Sequence, residues 1–223
     1  MSNESGRIDD LSFWEAYYAE YTEPFAPSLF AKYILEHFAK QGSTLIELGC
    51  GNGRDAVFFA DNGIKVTAID QCAGEIEYLN KHLQNEFLKF YCTDFTSLSV
   101  EHRFDVVYSR FTLHSVAEEQ EDEVIKWSFD CLNAGGYLCI EARGLNNELY
   151  KKGEPVADKH NTYIYEGHSR RFIDLAKMKE KLNNIGFEVV FAQEQKGFAP
   201  HNGEDETFMR LIAKNVADVP RRS

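Results

Sequence analysis

The spacing of apolar residues changes along this chain, and the change predicts its organisation. Over residues 11–21 and 27–41 apolar side chains recur at helical spacing, and Phe30, Tyr33, Ile34, His37 and Phe38 carry that pattern in the second segment. Pro27 suits its first turn. From residue 44 the period shortens. TLIEL, KVTAID, LKFYCTD, RFDVVYSR, YLCIEAR, FEVVFAQE and TFMRLIAKN read as short strands. Between them, residues 54–62, 74–85, 118–132 and 174–185 read as helices, the first closed by Gly63 and the last by Gly186. Gly135 and Gly136 are read as the break after the third helix. Alternating β and α units predict an α/β fold, doubly wound around a mostly parallel seven-stranded sheet. No helix fits between the last two strands, so they are expected to close the chain as an antiparallel hairpin.

Length and charge narrow the picture. At 223 residues and 43% hydrophobic, the chain is long enough for one domain with a sizeable core. Within it, residues 1–42 are expected to form a helical cap, 44–143 a ligand-binding half, 144–172 an insertion, and 173–215 the final helix and hairpin. Twenty-four basic against thirty-six acidic residues give a net charge of −12. That balance argues against a nucleic-acid partner, because phosphate binding needs clustered positive charge. No apolar run approaches the roughly eighteen residues of a membrane span, and the start MSNESGRIDD lacks a signal-peptide core. Five cysteines, an odd number without CxxC spacing, suit reduced thiols in a cytoplasmic protein. The seven histidines are scattered and form no metal-binding motif, so no metal is expected. A monomer or homodimer acting on a small molecule is the expectation.

The candidate chemistry begins at the first strand end. Gly49-Cys50-Gly51-Asn52-Gly53 follows TLIEL directly, where a doubly wound sheet binds its ligands. Arg54 stands where a dinucleotide fingerprint needs its last glycine, which disfavours a nicotinamide cofactor. The second strand ends in Asp70, seventeen residues after Gly53, where a carboxylate can accept from two ribose hydroxyls. The third ends in Asp94-Phe95, a carboxylate for an adenine amino group and an aromatic to cover its ring. Glu47 can meet a cationic amino group. Read singly, Asp70 and Asp94 can be helix caps or turn formers and Phe95 can be core. Three correlated strand ends favour the ligand.

ELGCGNGRDAVFFADNGIKVTAID, CTDF, FDVVYSRFTLHSV and LNAGGYLCIEAR together resemble the class I S-adenosylmethionine-dependent methyltransferases, over roughly residues 44–143. GCGNGRD is similar to the loop of the tellurite-resistance methyltransferases. The resemblance implies a Rossmann-like sheet and S-adenosylmethionine as cofactor. It implies that Glu47, Gly49, Cys50, Gly51, Asn52, Gly53, Asp70, Gln71, Asp94, Phe95 and Ser109 surround it.

The acceptor is expected beside the ends of the fourth and fifth strands, where Arg110, His114 and Arg143 are the candidate catalytic residues. No [DN]PP[YFW] motif stands there, which disfavours methylation of base amines. Residues 143–171 hold six basic and four acidic residues, a local +2 in an acidic protein, with Tyr165, His168, Arg170 and Arg171 as candidate substrate contacts. A stretch of that length between elements is read as a lid or binding loop, its alternative being a solvated surface loop. YSRFTLHS and YEGHSRRF are similar to segments of bacterial methyltransferases associated with surface polysaccharides. Tyr18, from the aromatic run FWEAYYAEY, is a further candidate contact from a capping segment, which can also be read as core cover. The expected activity is methyl transfer, at oxygen, to a small anionic acceptor that is phosphorylated, nucleotide-linked or a carboxylate. A neutral or metalloid acceptor, or cofactor binding without catalysis, are the alternatives.

Overall fold

A computed structural model describes residues 26–217. The first helical segment expected from the sequence, and Tyr18 with it, lie outside the described residues. The described chain begins at Ala26 and enters helix α1 (Leu29–His37), whose N-cap Ser28 accepts from the Ala31 amide. Strand β1 (Thr44–Leu48), helix α2 (Arg54–Asp61), strand β2 (Lys65–Asp70), helix α3 (Ala73–His82) and strand β3 (Leu88–Cys92) follow. Then come β4 (Phe104–Arg110), α4 (Glu118–Cys131) and β5 (Leu132–Ala142). The chain ends with α5 (Leu175–Ile185), β9 (Phe187–Gln195) and β10 (Phe208–Asn215).

The main sheet runs β3-β2-β1-β4-β5-β10-β9. β1 to β5 are parallel, while β10 is antiparallel to both β5 and β9. The expected seven strands and terminal hairpin are present. Period-two alternation sorts side chains to the two faces. Leu45, Val66, Val106, Tyr108 and Cys139 pack with α1, α2 and α3. Ile46, Leu48, Val107, Leu138, Ile140 and Leu211 pack with α4 and α5. Each central strand is therefore covered on both sides, which is why these strands read as nearly unbroken apolar runs.

Two features differ from the sequence reading. Gly135 and Gly136 do not end an element; β5 starts at Leu132, directly after α4. The register against β4 jumps from Phe104↔Leu132 to Val106↔Tyr137, so the glycines form an irregularity at the strand start. A Cβ on Gly136 would meet the Asp105 carbonyl at 2.9 Å. Secondly, the insertion has a fold of its own. Strands β6 (Glu154–Pro155), β7 (Thr162–Tyr165) and β8 (His168–Arg171) make a three-stranded antiparallel sheet. β7 and β8 are joined by a two-residue turn in which Glu166 (φ 52°) and Gly167 (φ 73°) are both left-handed. Tyr150 packs edge-on to Tyr163 and Phe172, giving the insertion an aromatic anchor.

Candidate active site

The carboxyl ends of β1, β2, β4 and β5 open into one cavity of about 750 Å³. Its first wall is the glycine loop. Gly49, Gly51 and Gly53 all have positive φ, a conformation that costs other residues a Cβ clash. At Gly49 space decides as well, since a Cβ there would collide with the Thr112 methyl. Gly49, Cys50, Gly51 and Asn52 line the cavity. Gly53 instead caps α2 and approaches Phe90 and Leu79, so its role is packing beneath the loop.

Carboxylates surround that loop in different states. Asp70 Oδ2 accepts from the Gly51 amide (3.0 Å) and Oδ1 from the Cys72 amide (3.0 Å). Each oxygen keeps a lone pair for a ligand hydroxyl, and the side chain lines the cavity beside Gln71. Glu47 also lines it, is 4% exposed, and its Oε2 has no partner. Burial, and then Asp55, push its carboxyl well above the usual range. An orphaned buried carboxylate of this kind fits a cationic ligand group. Asp55 is satisfied: it accepts from the Ser28 amide (2.8 Å), the Ser28 hydroxyl (2.7 Å) and the Tyr108 hydroxyl (2.8 Å). Those bonds fasten the start of α1 to the cavity floor. The sequence singled out none of the three, because they lie 27 and 53 positions apart.

At the third strand end, Phe95 lines the cavity. Asp94 is exposed and off the wall, where its Oδ1 accepts from the Thr96 amide and hydroxyl, both at 2.8 Å. It caps the short 3-10 helix Phe95–Ser97.

The side of the cavity at the ends of β4 and β5 is built from ion pairs. Glu141, fully buried in β5, holds Arg110 at 2.8 Å and Arg210 at 2.6 Å. Arg110 lines the cavity with its guanidinium over the Phe111 ring, 4.2 Å from the centroid. Arg143 also lines it; Nη2 lies 3.6 Å from Glu206, while its buried Nε has no partner. His114 is not on the wall. It is buried, and Nδ1 accepts from the Arg143 amide (3.2 Å). Burial, followed by Arg143, Arg171 and His168, drives its pKa well below the ordinary histidine range. With Nδ1 used as an acceptor, the neutral ring carries its proton on Nε2.

The insertion's candidates lie apart from this wall. Tyr165 and Arg170 line a second, smaller recess, which shares Glu204 and Glu206 with the main cavity. Arg170 Nη1 donates to the Tyr165 and His168 carbonyls, and His168 sits on β8 opposite Tyr165. Arg171 points to the loop after β4, where it bonds Val116, Leu113 and Glu121. Ser109 is wholly buried behind the cavity, its hydroxyl 2.6 Å from that of Thr112.

Phe111 and residues of the loop between β9 and β10, none of them candidates from the sequence, also form the wall. Phe111 has a left-handed backbone (φ 60°), rare for an aromatic residue and typical of functional sites. Its ring packs tilted against Phe208, with centroids 4.8 Å apart. The loop from Ala199 to Glu206 covers the far side, folded by an Asn202-Gly203 turn with both φ positive. Asn-Gly is a strong turn signal in sequence, but its position over the cavity is a tertiary fact. Among the described residues no group of three or more His, Cys, Asp or Glu is placed to hold a metal. None of the five cysteines is disulfide-bonded. No described helix is long and apolar enough to cross a membrane.

The strand order of the main sheet, with the glycine loop at the end of β1 and the acidic end of β2, is that of the Rossmann-like methyltransferase fold. Residues 46–140 match the family described as methyltransferase domain. Among curated relatives, the probable S-adenosyl-L-methionine-dependent methyltransferase TehB of Haemophilus influenzae is 27% identical over 100 residues, 44% of this chain and 35% of that protein. Phosphoethanolamine N-methyltransferase 3 of Arabidopsis thaliana is 27% identical over 137 residues, 56% of this chain and 28% of its own. The chain thus spans about a third of the length of these relatives. In fold it is similar to Burkholderia thailandensis 1,6-didemethyltoxoflavin-N1-methyltransferase, solved with 1,6-didemethyltoxoflavin and S-adenosylhomocysteine bound. That similarity has a TM-score of 0.68 at 19% identity, over 93% of this chain and 86% of the other.

Proposed function

We propose that this protein methylates a small anionic acceptor at oxygen, with S-adenosylmethionine as donor. The acceptor is a phosphorylated, nucleotide-linked or carboxylate metabolite, the chemistry found in surface-polysaccharide precursors. Bound S-adenosylmethionine supplies a methyl carbon activated by its positive sulfur. The residues present fit it: Glu47 offers an unpartnered buried oxygen for its amino group, Asp70 has free lone pairs for the ribose, and Gly49 keeps the backbone clear.

Arg143 carries the acceptor assignment. Its guanidinium lines the cavity with an unpartnered Nε and a single long ion pair to Glu206. An acceptor carboxylate or phosphate can replace that contact with a shorter, two-pronged one. An oxygen already ionised needs orientation rather than a base. His114 suits that arrangement, since Nδ1 is occupied and the ring is held neutral.

Acceptors are screened by the mass gained per methyl group. On the acceptor found, Arg143→Ala is expected to cost about 2–4 kcal/mol in kcat/KM, and His114→Ala less. Full activity of the arginine variant, with cofactor binding intact, would falsify the anionic assignment. A hydroxyl acceptor is the second reading, favoured by His201, the histidine that does line the cavity. His201→Ala would then cost about 10²–10⁴ in rate, with an ascending pH limb that the wild type shows and the variant lacks.

A further inference from the structure

Both ligand walls depend on one short loop. Between β4 and α4, residues 111–116 place Phe111 and Thr112 on the cavity, with Ser115 beside them. Thr112 occupies the space that a Cβ at Gly49 would need, so loop and glycine turn hold each other in place. Phe111 packs on Phe208 and carries the Arg110 guanidinium on its other contact. Yet the loop has little regular structure, only the three-residue 3-10 turn Leu113–Ser115.

Its outer side ends on a single guanidinium. Arg171 donates from Nε to the Val116 carbonyl at 2.8 Å and from Nη2 to the Leu113 carbonyl. The same Nη2 bonds Glu121 Oε2 at 2.7 Å. Glu121 is 2% exposed, lies in the first turn of α4, and also receives Lys181 of α5 at 2.7 Å. Arg171 is the last residue of β8 and is 12% exposed at its side chain, so the insertion, the loop and α4 meet at this group.

We propose that Arg171 is a positioning residue for methyl transfer. It grips the loop after β4 by two carbonyls, so that the insertion sets the place of Phe111 on the acceptor side and of Thr112 against the cofactor turn. The planar fork is what the role requires. A lysine keeps the charge on Glu121 but cannot reach two carbonyls and a carboxylate in one plane. The consequence for S-adenosylmethionine rests on the function proposed above; the grip on the loop does not.

The test compares Arg171→Lys with Lys181→Met, which removes the other cation on Glu121 and leaves the loop carbonyls held. Amide hydrogen exchange over residues 111–116 is expected to quicken at least tenfold in Arg171→Lys and to stay unchanged in Lys181→Met. Calorimetry with S-adenosylhomocysteine is expected to show about tenfold weaker binding for Arg171→Lys and wild-type binding for Lys181→Met. Thermal unfolding checks that both variants are folded. Unchanged exchange in Arg171→Lys overturns the grip, as does equal quickening in both variants. Quickened exchange with wild-type affinity overturns the link to the cofactor turn. If the wild type itself fails to bind S-adenosylhomocysteine, the functional reading falls while the exchange comparison still decides the grip.

Discussion

The two ends of the cavity, at the glycine loop and at the ends of β4 and β5, use charge in opposite ways. Around the glycine loop, polar groups are left with capacity: Glu47 Oε2 has no partner, and each Asp70 oxygen takes one backbone amide. At the ends of β4 and β5 most charges are already committed. Glu141 binds two arginines and Glu121 binds Arg171 and Lys181, while Arg143 is the exception, with a long contact to Glu206 and an unpartnered Nε. Unspent carboxylates leave capacity for a ligand with cationic and hydroxyl groups. Committed pairs mark where the scaffold is held in shape. A charged residue at a strand end is therefore not evidence of binding until its partners are known.

The sharpest way to break this contrast is Glu141→Leu. Leaving Arg110 and Arg210 buried without their shared carboxylate is expected to destabilise the fold by about 3–5 kcal/mol, read by chemical denaturation. A loss below about 1 kcal/mol would mean that the pair is not structural. Asp70→Ala addresses the other end. It is expected to weaken S-adenosylmethionine binding by roughly 1.5–3 kcal/mol in a folded protein; unchanged affinity by calorimetry sinks its assignment.

Glu47→Gln separates ligand binding from stability. The substitution replaces a buried acid whose proton is held unusually tightly by a neutral group of the same shape, so the ligand-free protein is expected to be as stable or more so near neutral pH. Cofactor affinity is expected to fall by about 1.5 kcal/mol, the scale of one charge-assisted hydrogen bond. Parallel losses in both measurements would show that Glu47 is scaffold after all.

The smallest effect is a pH dependence. Burial, and then Asp70, raise Glu75 at the start of α3 to about 7, from an ordinary value of 4.5. The folded protein then binds this proton more tightly than the unfolded chain does. Stability attributable to Glu75 falls as pH rises from about 4.5 to 7. Glu75→Gln is expected to flatten that part of the stability profile; an identical slope in both proteins removes the assignment.

The glycine-loop end was the more legible of the two, for a reason visible in particular residues. Gly49 and Gly51 act through backbone conformation, and Asp70 ends a strand whose length is readable, so local pattern carries their placement. His114 and Arg171 act through long-range partners. Nothing in YSRFTLHS says that Nδ1 of His114 will take the amide of residue 143. Nothing in HSRR says that its last arginine turns to the β4 loop while the one before it caps carbonyls of its own hairpin. The insertion shows the same limit. Its polar composition suggested a loop, whereas the Glu166-Gly167 turn and the Tyr150, Tyr163 and Phe172 contacts make it a small sheet.

By itself the sequence determined the α/β alternation, the terminal hairpin, the glycine turn and the acidic strand end, because each depends on residues within one turn or strand of each other. The tertiary structure alone decided which arginine is spent on which carboxylate, that Phe111 and the loop over residues 199–206 wall the cavity, and that Glu47 remains unpaired. Those outcomes depend on groups brought together from distant positions, and charges in a buried site choose partners by distance and desolvation rather than by order along the chain.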